Sequence, residues 1–270
     1  MWPLLIHTDT WALPTYIVVN SLAFSLAVLW IYLRAPKAHM DQNKVLDVTL
    51  AVLFACFVGA RLFHIVLEEP RFYWEHPSFI FKFWYGGFVY YGGALGGFLA
   101  ASIMTRRLGL SFFAVGDLFA PVMAGGYALG RLGCLAAGCC FGAPTTMPWG
   151  IHFPPGVEAP TGIALHPTQI YSSLWSALLA VLLLVLEKRP RQGHSPFGAQ
   201  GQIFGVWMAL HGLGRLIIEQ FRDDFRGPTL FNLSVSTWIS GFFIIGGVYI
   251  VGTFRNPERI EKKQNASAAV

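Results

Sequence analysis

Residues 168–186, TQIYSSLWSALLAVLLLVL, run without a single charged side chain. A helix rises about 1.5 Å per residue, so about 20 apolar residues cross the roughly 30 Å hydrocarbon core of a bilayer. The stretch therefore reads as a membrane-spanning helix. The same reading applies to residues 16–33, 45–67, 88–105, 114–135, 201–220 and 234–254. Composition agrees: 54% of the 270 residues are hydrophobic, 15% aromatic and only 12% charged, and the mean hydropathy is +0.53. That balance lies well outside the range of soluble domains. The expectation is an all-α polytopic membrane protein with about seven transmembrane helices, because a helix satisfies its own backbone polar groups in hydrocarbon. The opening MWPLLIHTDTW has no Lys or Arg, so it lacks the basic start of a secretory signal and the first span is expected to be retained. With no internal repeat or low-complexity run, residues 1–254 read as a single transmembrane domain and 255–270 as a solvated cytoplasmic tail.

The net charge of +5 does not point to nucleic acid, because the basic residues sit in short clusters between apolar spans. Counted over alternate connections, one set holds twelve Lys and Arg, from Arg34 through Lys263, and the other set holds four: Arg71, Lys82, Arg222 and Arg226. Cytoplasmic loops are enriched in such residues, which places the N terminus outside and the C terminus in the cytoplasm. The three remaining basic residues, Arg61, Arg131 and Arg215, lie inside the second, fourth and sixth spans. These three spans run outward, so the arginines occupy their outer halves. The third and fifth spans start from the same face, with Tyr91 and with His166 and Gln169. A charge within a bilayer costs several kcal/mol unless it is paired or reaches water. A polar cavity opening to the outer face is expected.

Four motifs carry chemistry. GRLGCLAAGCCFG, 130–142, follows Arg131 with Gly133, Gly138 and Gly142, which permit a tight turn; exposed amides beside a guanidinium would suit a phosphate, and small-residue helix packing is the alternative. In HGLGRLIIEQFR, His211, Arg215 and Glu219 recur every four residues and share a helical face, so that Glu219 can hold Arg215, either to present it to a ligand or only to stabilise the bundle. In GARLFHIVLEEP, Arg61 and His64 stand near Glu68 and Glu69, with a structural role weighed against a ligand contact. In WYGGFVYYGGALGG, paired glycines let a helix or lipid chain approach, and Tyr91 offers a hydroxyl.

Cys134, Cys139 and Cys140 admit a different class of function. Facing an oxidising exterior they could form a disulfide or exchange electrons with a quinone. Metal binding by these three with His152 is conceivable, although the spacing matches no usual zinc pattern. The bland reading is that they fill space close to the backbone.

Taken in order, the motifs resemble those of prolipoprotein diacylglyceryl transferases. They are LPTY at 13–16, GARLFHI at 59–65, FKFWYGGFVYYGGALGG at 81–97, GDLFAP at 116–121, GRLGCLAAGCCFG at 130–142, PWGIHFP at 148–154, HPTQIY at 166–171, GRLIIEQFR at 214–222 and LSVSTWIS at 233–240. The resemblance covers most of the chain. It implies a seven-helix protein of the bacterial cytoplasmic (inner) membrane with its site toward the periplasmic face. It also implies transfer of diacylglyceryl from phosphatidylglycerol to the lipobox cysteine of a prolipoprotein signal peptide, with no cofactor and no metal. Arg131 and Arg215 match the arginines that hold the lipid head group, Glu219 the acidic partner of the second, Gly142 the closing glycine and Tyr16 a tyrosine on the first helix. Catalysis is expected from Arg131, Arg215 and Glu219 with His211 or Tyr91 as proton acceptor, and substrate contact from Arg131, Arg215, Tyr16, Arg61, Cys134, Gly138, Gly142, His166 and Gln169. The sequence departs from the family pattern at Tyr91, where many members have His, and at His211, where many have Tyr. Cys134 and Ala137 replace two asparagines, and Ser172 stands where Glu is frequent. Transfer to a different acceptor, a thiol-disulfide or quinone oxidoreductase and a non-enzymatic lipid-binding protein are the competing readings.

Overall fold

The computed structural model describes residues 3–8, 12–188, 199–223, 229–230 and 233–253, so the tail expected at 255–270 lies outside the described residues. The helices are α1 (Thr15–Arg34), α2 (Gln42–Phe63), α3 (Pro70–Glu75), α4 (Tyr90–Arg107), α5 (Phe112–Ala137), α6 (Thr168–Lys188), α7 (Gln202–Glu219) and α8 (Val235–Thr253). Seven of them coincide with the seven apolar stretches of the sequence, to within a few residues at each end. Five are long and apolar enough to cross a bilayer, and the chain is an all-α polytopic membrane protein. Its outer surface fits that solvent: Phe54, Leu178, Phe242 and Ile245 are all 70% exposed. Short antiparallel pairs occur only in the connections: β1 (Leu4–His7) with β2 (Ala12–Pro14), β3 (Ile151–His152) with β4 (Ala164–Leu165), and β5 (Thr229–Leu230) with β6 (Leu233–Ser234). The chain forms two compact units, residues 31–115 and residues 1–30 with 116–270.

In the unit of residues 31–115, α2 starts at Asp41, whose carboxylate accepts the Lys44 amide at 2.9 Å as an N-cap. Helices α2 and α4 meet backbone to backbone. A Cβ placed at Gly59, Gly92 or Gly96 would enter the opposite chain, and one at Gly93 would lie 3.1 Å from the Cys56 carbonyl. The paired glycines of the sequence thus serve a helix contact, as small residues do in membranes. Arg61 closes this unit. Its Nε donates to the Ile80 carbonyl, Nη1 to those of Gly86 and Gly87, and Nη2 to those of Phe79 and Lys82. A guanidinium has five N–H donors, and all five meet backbone carbonyls of the 79–87 segment. The expected substrate contact of Arg61 is therefore replaced by a clamp with no donor left for a ligand. His64, not Arg61, pairs with Glu68, at 3.6 Å.

In the other unit the core is built from Ala120, Ala124, Leu179, Leu183, Leu186 and Ile203 of α5, α6 and α7. Asp117, in the first turns of α5, accepts the amides of Gly201 at 2.6 Å and Phe204 at 2.8 Å and so fixes the start of α7. Helices α7 and α8 pack through Gly205, Gly212 and Gly247, where a Cβ at Gly212 would stand 2.7 Å from the Ser240 carbonyl. Between α1, α5 and α6 lies an apolar groove of about 450 Å³, lined by residues such as Ala23, Ala27, Trp30 and Val122.

Two outcomes test this packing. Gly92→Leu should lose about 3 kcal/mol or more through overpacking against α2, seen as a large drop in the thermal unfolding midpoint in detergent, whereas Gly241→Ala, with open space around it, should unfold like the parent. Arg61→Lys should fail to rescue the fold, because three donors cannot serve five carbonyls and each orphaned acceptor costs about 1–3 kcal/mol. Equal unfolding midpoints for Arg61→Lys and the parent would refute the clamp.

Candidate active site

Four helix ends are tied together in the unit that contains α5 to α8. The segment leaving α5 is pinned by Gly142 N to the His166 carbonyl at 3.0 Å, His166 N to the Ala143 carbonyl at 3.0 Å and Ala143 N to the Phe221 carbonyl at 2.8 Å. This joins the end of α5, the start of α6 and the end of α7. Ser234 Oγ donates to Glu219 Oε1 at 2.6 Å and adds the start of α8. Arg131, Arg215, Glu219, His166, Gln169 and the cysteine turn are thereby gathered at one end of the bundle.

Arg131 lies one turn and a half before the end of α5. Gly130 and Gly133 on either side of it pack on Asn20 of α1, where a Cβ would stand 3.2 and 3.0 Å from the Asn20 side chain. The guanidinium is only 8% exposed. Its Nη1 is 3.7 Å from Cys134 Sγ and its carbon 5.5 Å from the centre of the Tyr127 ring, but Nε and Nη2 are buried with no hydrogen-bond partner among the described residues. A permanently charged group in that state needs an anion beside it.

Arg215 is compensated differently. Its Nη2 is 2.9 Å from Glu219 Oε2 and its Nε donates to Ser236 Oγ at 2.6 Å. The helical spacing of Arg215 and Glu219 does produce an ion pair. Arg131 and Arg222 also lie within electrostatic reach of Arg215, whose charge Glu219 offsets. His211 is held between rings, stacked on Trp207 at 5.3 Å and edge-on to Tyr127 at 5.1 Å. Tyr127 thus touches both His211 and Arg131.

The turn after α5 departs from expectation. Gly138, with φ +70°, and Gly142 are required by shape, since a Cβ would lie 2.6 Å from Val157 or 2.5 Å from the Phe221 carbonyl. The amides of Gly138, Cys139 and Gly142 all donate to backbone carbonyls, however. The expected cradle of exposed amides is absent at these positions, because the same tight turn that exposes a backbone N–H also brings carbonyls within its reach. Gly138 and Gly142 shape the turn, and Arg131 stands beside it with donors to spare. Gln169, fully buried, donates Nε2 to the Cys139 carbonyl at 2.6 Å, and Thr168 donates Oγ1 to the Cys140 carbonyl at 2.7 Å. His166 is a brace, its Nδ1 3.1 Å from the Tyr171 hydroxyl and its ring against Phe221.

The cysteines are free thiols, and the sulfurs of Cys134, Cys139 and Cys140 lie within 4.8 Å of one another without His152 among them. Cys139 Sγ lies 3.8 Å from the Cys134 carbonyl, and Arg131 and Arg222 are within electrostatic reach of Cys140. Tyr16, in the first turn of α1, is within electrostatic reach of the three thiols and of Arg131. Tyr91 belongs to the other unit, where it stands in the first turn of α4 against Tyr90. Sequence reasoning missed Tyr127, Arg222, Ser234 and Ser236; the last two fall in LSVSTWIS, a stretch noticed without a role.

Comparison with known proteins identifies the family. The family model described as prolipoprotein diacylglyceryl transferase matches residues 3–253. The chain is 31% identical over 236 residues to the phosphatidylglycerol–prolipoprotein diacylglyceryl transferase 2 of Clostridium perfringens, covering 87% of this chain and 89% of that protein. It is 32% identical to the phosphatidylglycerol–prolipoprotein diacylglyceryl transferase of Clostridium tetani, over 87% of this chain and 90% of that one. The counterpart from Nitrosomonas europaea is 30% identical over 92% of this chain and 88% of its own length. With nearly its whole described length matched, and with the arginine-bearing helix ends within the match, the chain belongs to the prolipoprotein diacylglyceryl transferase family.

Proposed function

We propose that this protein transfers the sn-1,2-diacylglyceryl group of phosphatidylglycerol to the lipobox cysteine of a prolipoprotein, the first step of bacterial lipoprotein maturation. The observation that carries the reading is the buried guanidinium of Arg131 with two unpartnered donor nitrogens, beside an Arg215 that Glu219 and Ser236 hold in place. A phosphodiester head group supplies the missing anion, and guanidinium forks match its oxygens. The family membership and the names of the relatives point to the same chemistry.

The reaction is a displacement at the glyceryl carbon. The lipobox sulfur forms a C–S bond, the C–O bond to phosphate breaks, the electron pair leaves with the phosphate oxygen, and glycerol phosphate departs. Charge grows on that oxygen as the bond breaks, and Arg131 and Arg215 are placed to stabilise it in a site sparing of water. Glu219 does not neutralise them both, so the site keeps a positive surplus for the donor. His211 accepts the thiol proton in this scheme on the ground of position, since Tyr127 packs against both it and Arg131. Tyr91 is the alternative acceptor. The twelve-to-four asymmetry of basic residues supports a bacterial cytoplasmic-membrane protein with its N terminus outside, its C terminus in the cytoplasm and this site toward the outer face. The apolar groove beside α1, α5 and α6 suits acyl chains.

Release of glycerol phosphate from phosphatidylglycerol, with a synthetic lipobox peptide as acceptor, measures the reaction directly. Arg131→Ala and Arg215→Ala should each lower kcat/KM by about 10²–10³, the usual loss for a donor to developing negative charge. Glu219→Gln should lower it less, by about tenfold, since the pair loses its charge but keeps its shape. No release by well-folded parent protein would refute the reaction. A thiol oxidoreductase would give the opposite pattern, with Cys139→Ser inactive and Arg215→Ala active.

A further inference from the structure

We propose that Cys134, Cys139 and Cys140 form a binding site for one soft, thiophilic metal ion of the zinc(II) or copper(I) class, next to the Arg131 assigned to the phosphate. The three sulfurs all lie within 4.8 Å of one another. An ion with metal–sulfur bonds of about 2.3 Å spaces three thiolates about 3.8–4.0 Å apart, so binding asks only a small inward movement of side chains that are already convergent.

The arrangement is held from outside. Cys134 rides on the last turns of α5, while Cys139 and Cys140 lie beyond the helix end, where Gly138 turns the chain at φ +70° and Cys140 itself adopts φ +59°. That left-handed backbone is unfavourable for a residue other than glycine and persists only where the surroundings impose it. Here they are Gln169 and Thr168, which grip the carbonyls of Cys139 and Cys140 at 2.6 and 2.7 Å. Both thiols are thereby turned back toward Cys134 by groups that would act as an outer shell around bound metal.

Charge provides an independent argument. A divalent ion binding three thiols releases three protons and leaves a complex of net charge −1. Arg131 is more than nine-tenths buried, its Nη1 is 3.7 Å from Cys134 Sγ, and its Nε and Nη2 have no hydrogen-bond partner among the described residues. Through Nη1 the guanidinium offsets such a complex from the Cys134 side, while Nε and Nη2 stay available to the phosphate, and no carboxylate is among the clustered ligand atoms. A disulfide would use only two of the three sulfurs and would require an oxidant, so the geometry favours the metal.

The test uses full-length protein in detergent, stripped of metal, reduced and kept anaerobic, and titrated with Cd²⁺ while the sulfur-to-cadmium charge-transfer absorption is followed. The expected result is one tight equivalent per chain, with affinity at least tenfold weaker in Cys139→Ser and in Cys140→Ser when each unfolds at a temperature close to the parent's. Absence of a stoichiometric charge-transfer band in the parent would overturn the proposal by itself, whatever the variants do. So would a band of unchanged affinity in both variants. The readout is independent of lipid transfer, so a protein inactive toward phosphatidylglycerol but binding Cd²⁺ in this way would still support the site.

Discussion

A guanidinium cannot be discharged at any ordinary pH, so each arginine buried in this bundle must be compensated by its surroundings. The three intramembrane arginines show three solutions. Arg61 is wrapped in five carbonyls and disappears into the structure. Arg215 is matched by a carboxylate one turn away and steadied by a serine of the next helix. Arg131 has a ring face, a thiol and two nitrogens with no hydrogen-bond partner among the described residues. The distribution of partners, not the presence of the charge, separates the scaffold arginine from those that face chemistry.

Close helix contact makes this possible. Hydrocarbon offers helices no hydrophobic reward for associating, so the stabilisation must come from dispersion and from backbones approaching closely. Gly59, Gly92 and Gly96 do this for α2 and α4, and Gly205, Gly212 and Gly247 for α7 and α8. With backbones that near, the side chains at the helix ends are fixed over short levers, and Arg215 and Ser236 can meet at 2.6 Å.

The long elements were legible because hydrocarbon imposes length and apolarity on whatever crosses it, and all seven long helices fall on uncharged or nearly uncharged stretches. The i, i+4 spacing likewise foretold the Arg215–Glu219 pair, a local relation that helix geometry dictates. What sequence could not show was everything that depends on how distant segments fold back. The same residue type became a clamp at Arg61 and an open donor at Arg131, and the carbonyls of 79–87 make the difference at Arg61. The short helix α3 lies in a connection with no span-length signal. The cysteine spacing matches no metal pattern, yet a left-handed residue at position 140 folds three sulfurs together.

The Asp117 cap makes the position of α7 a property of α5. Helix α7 is therefore registered against α5 by an internal carboxylate. Loss of the Asp117 carboxylate would therefore be felt at Arg215 and Glu219, several turns further along the same helix, and not at the cap alone.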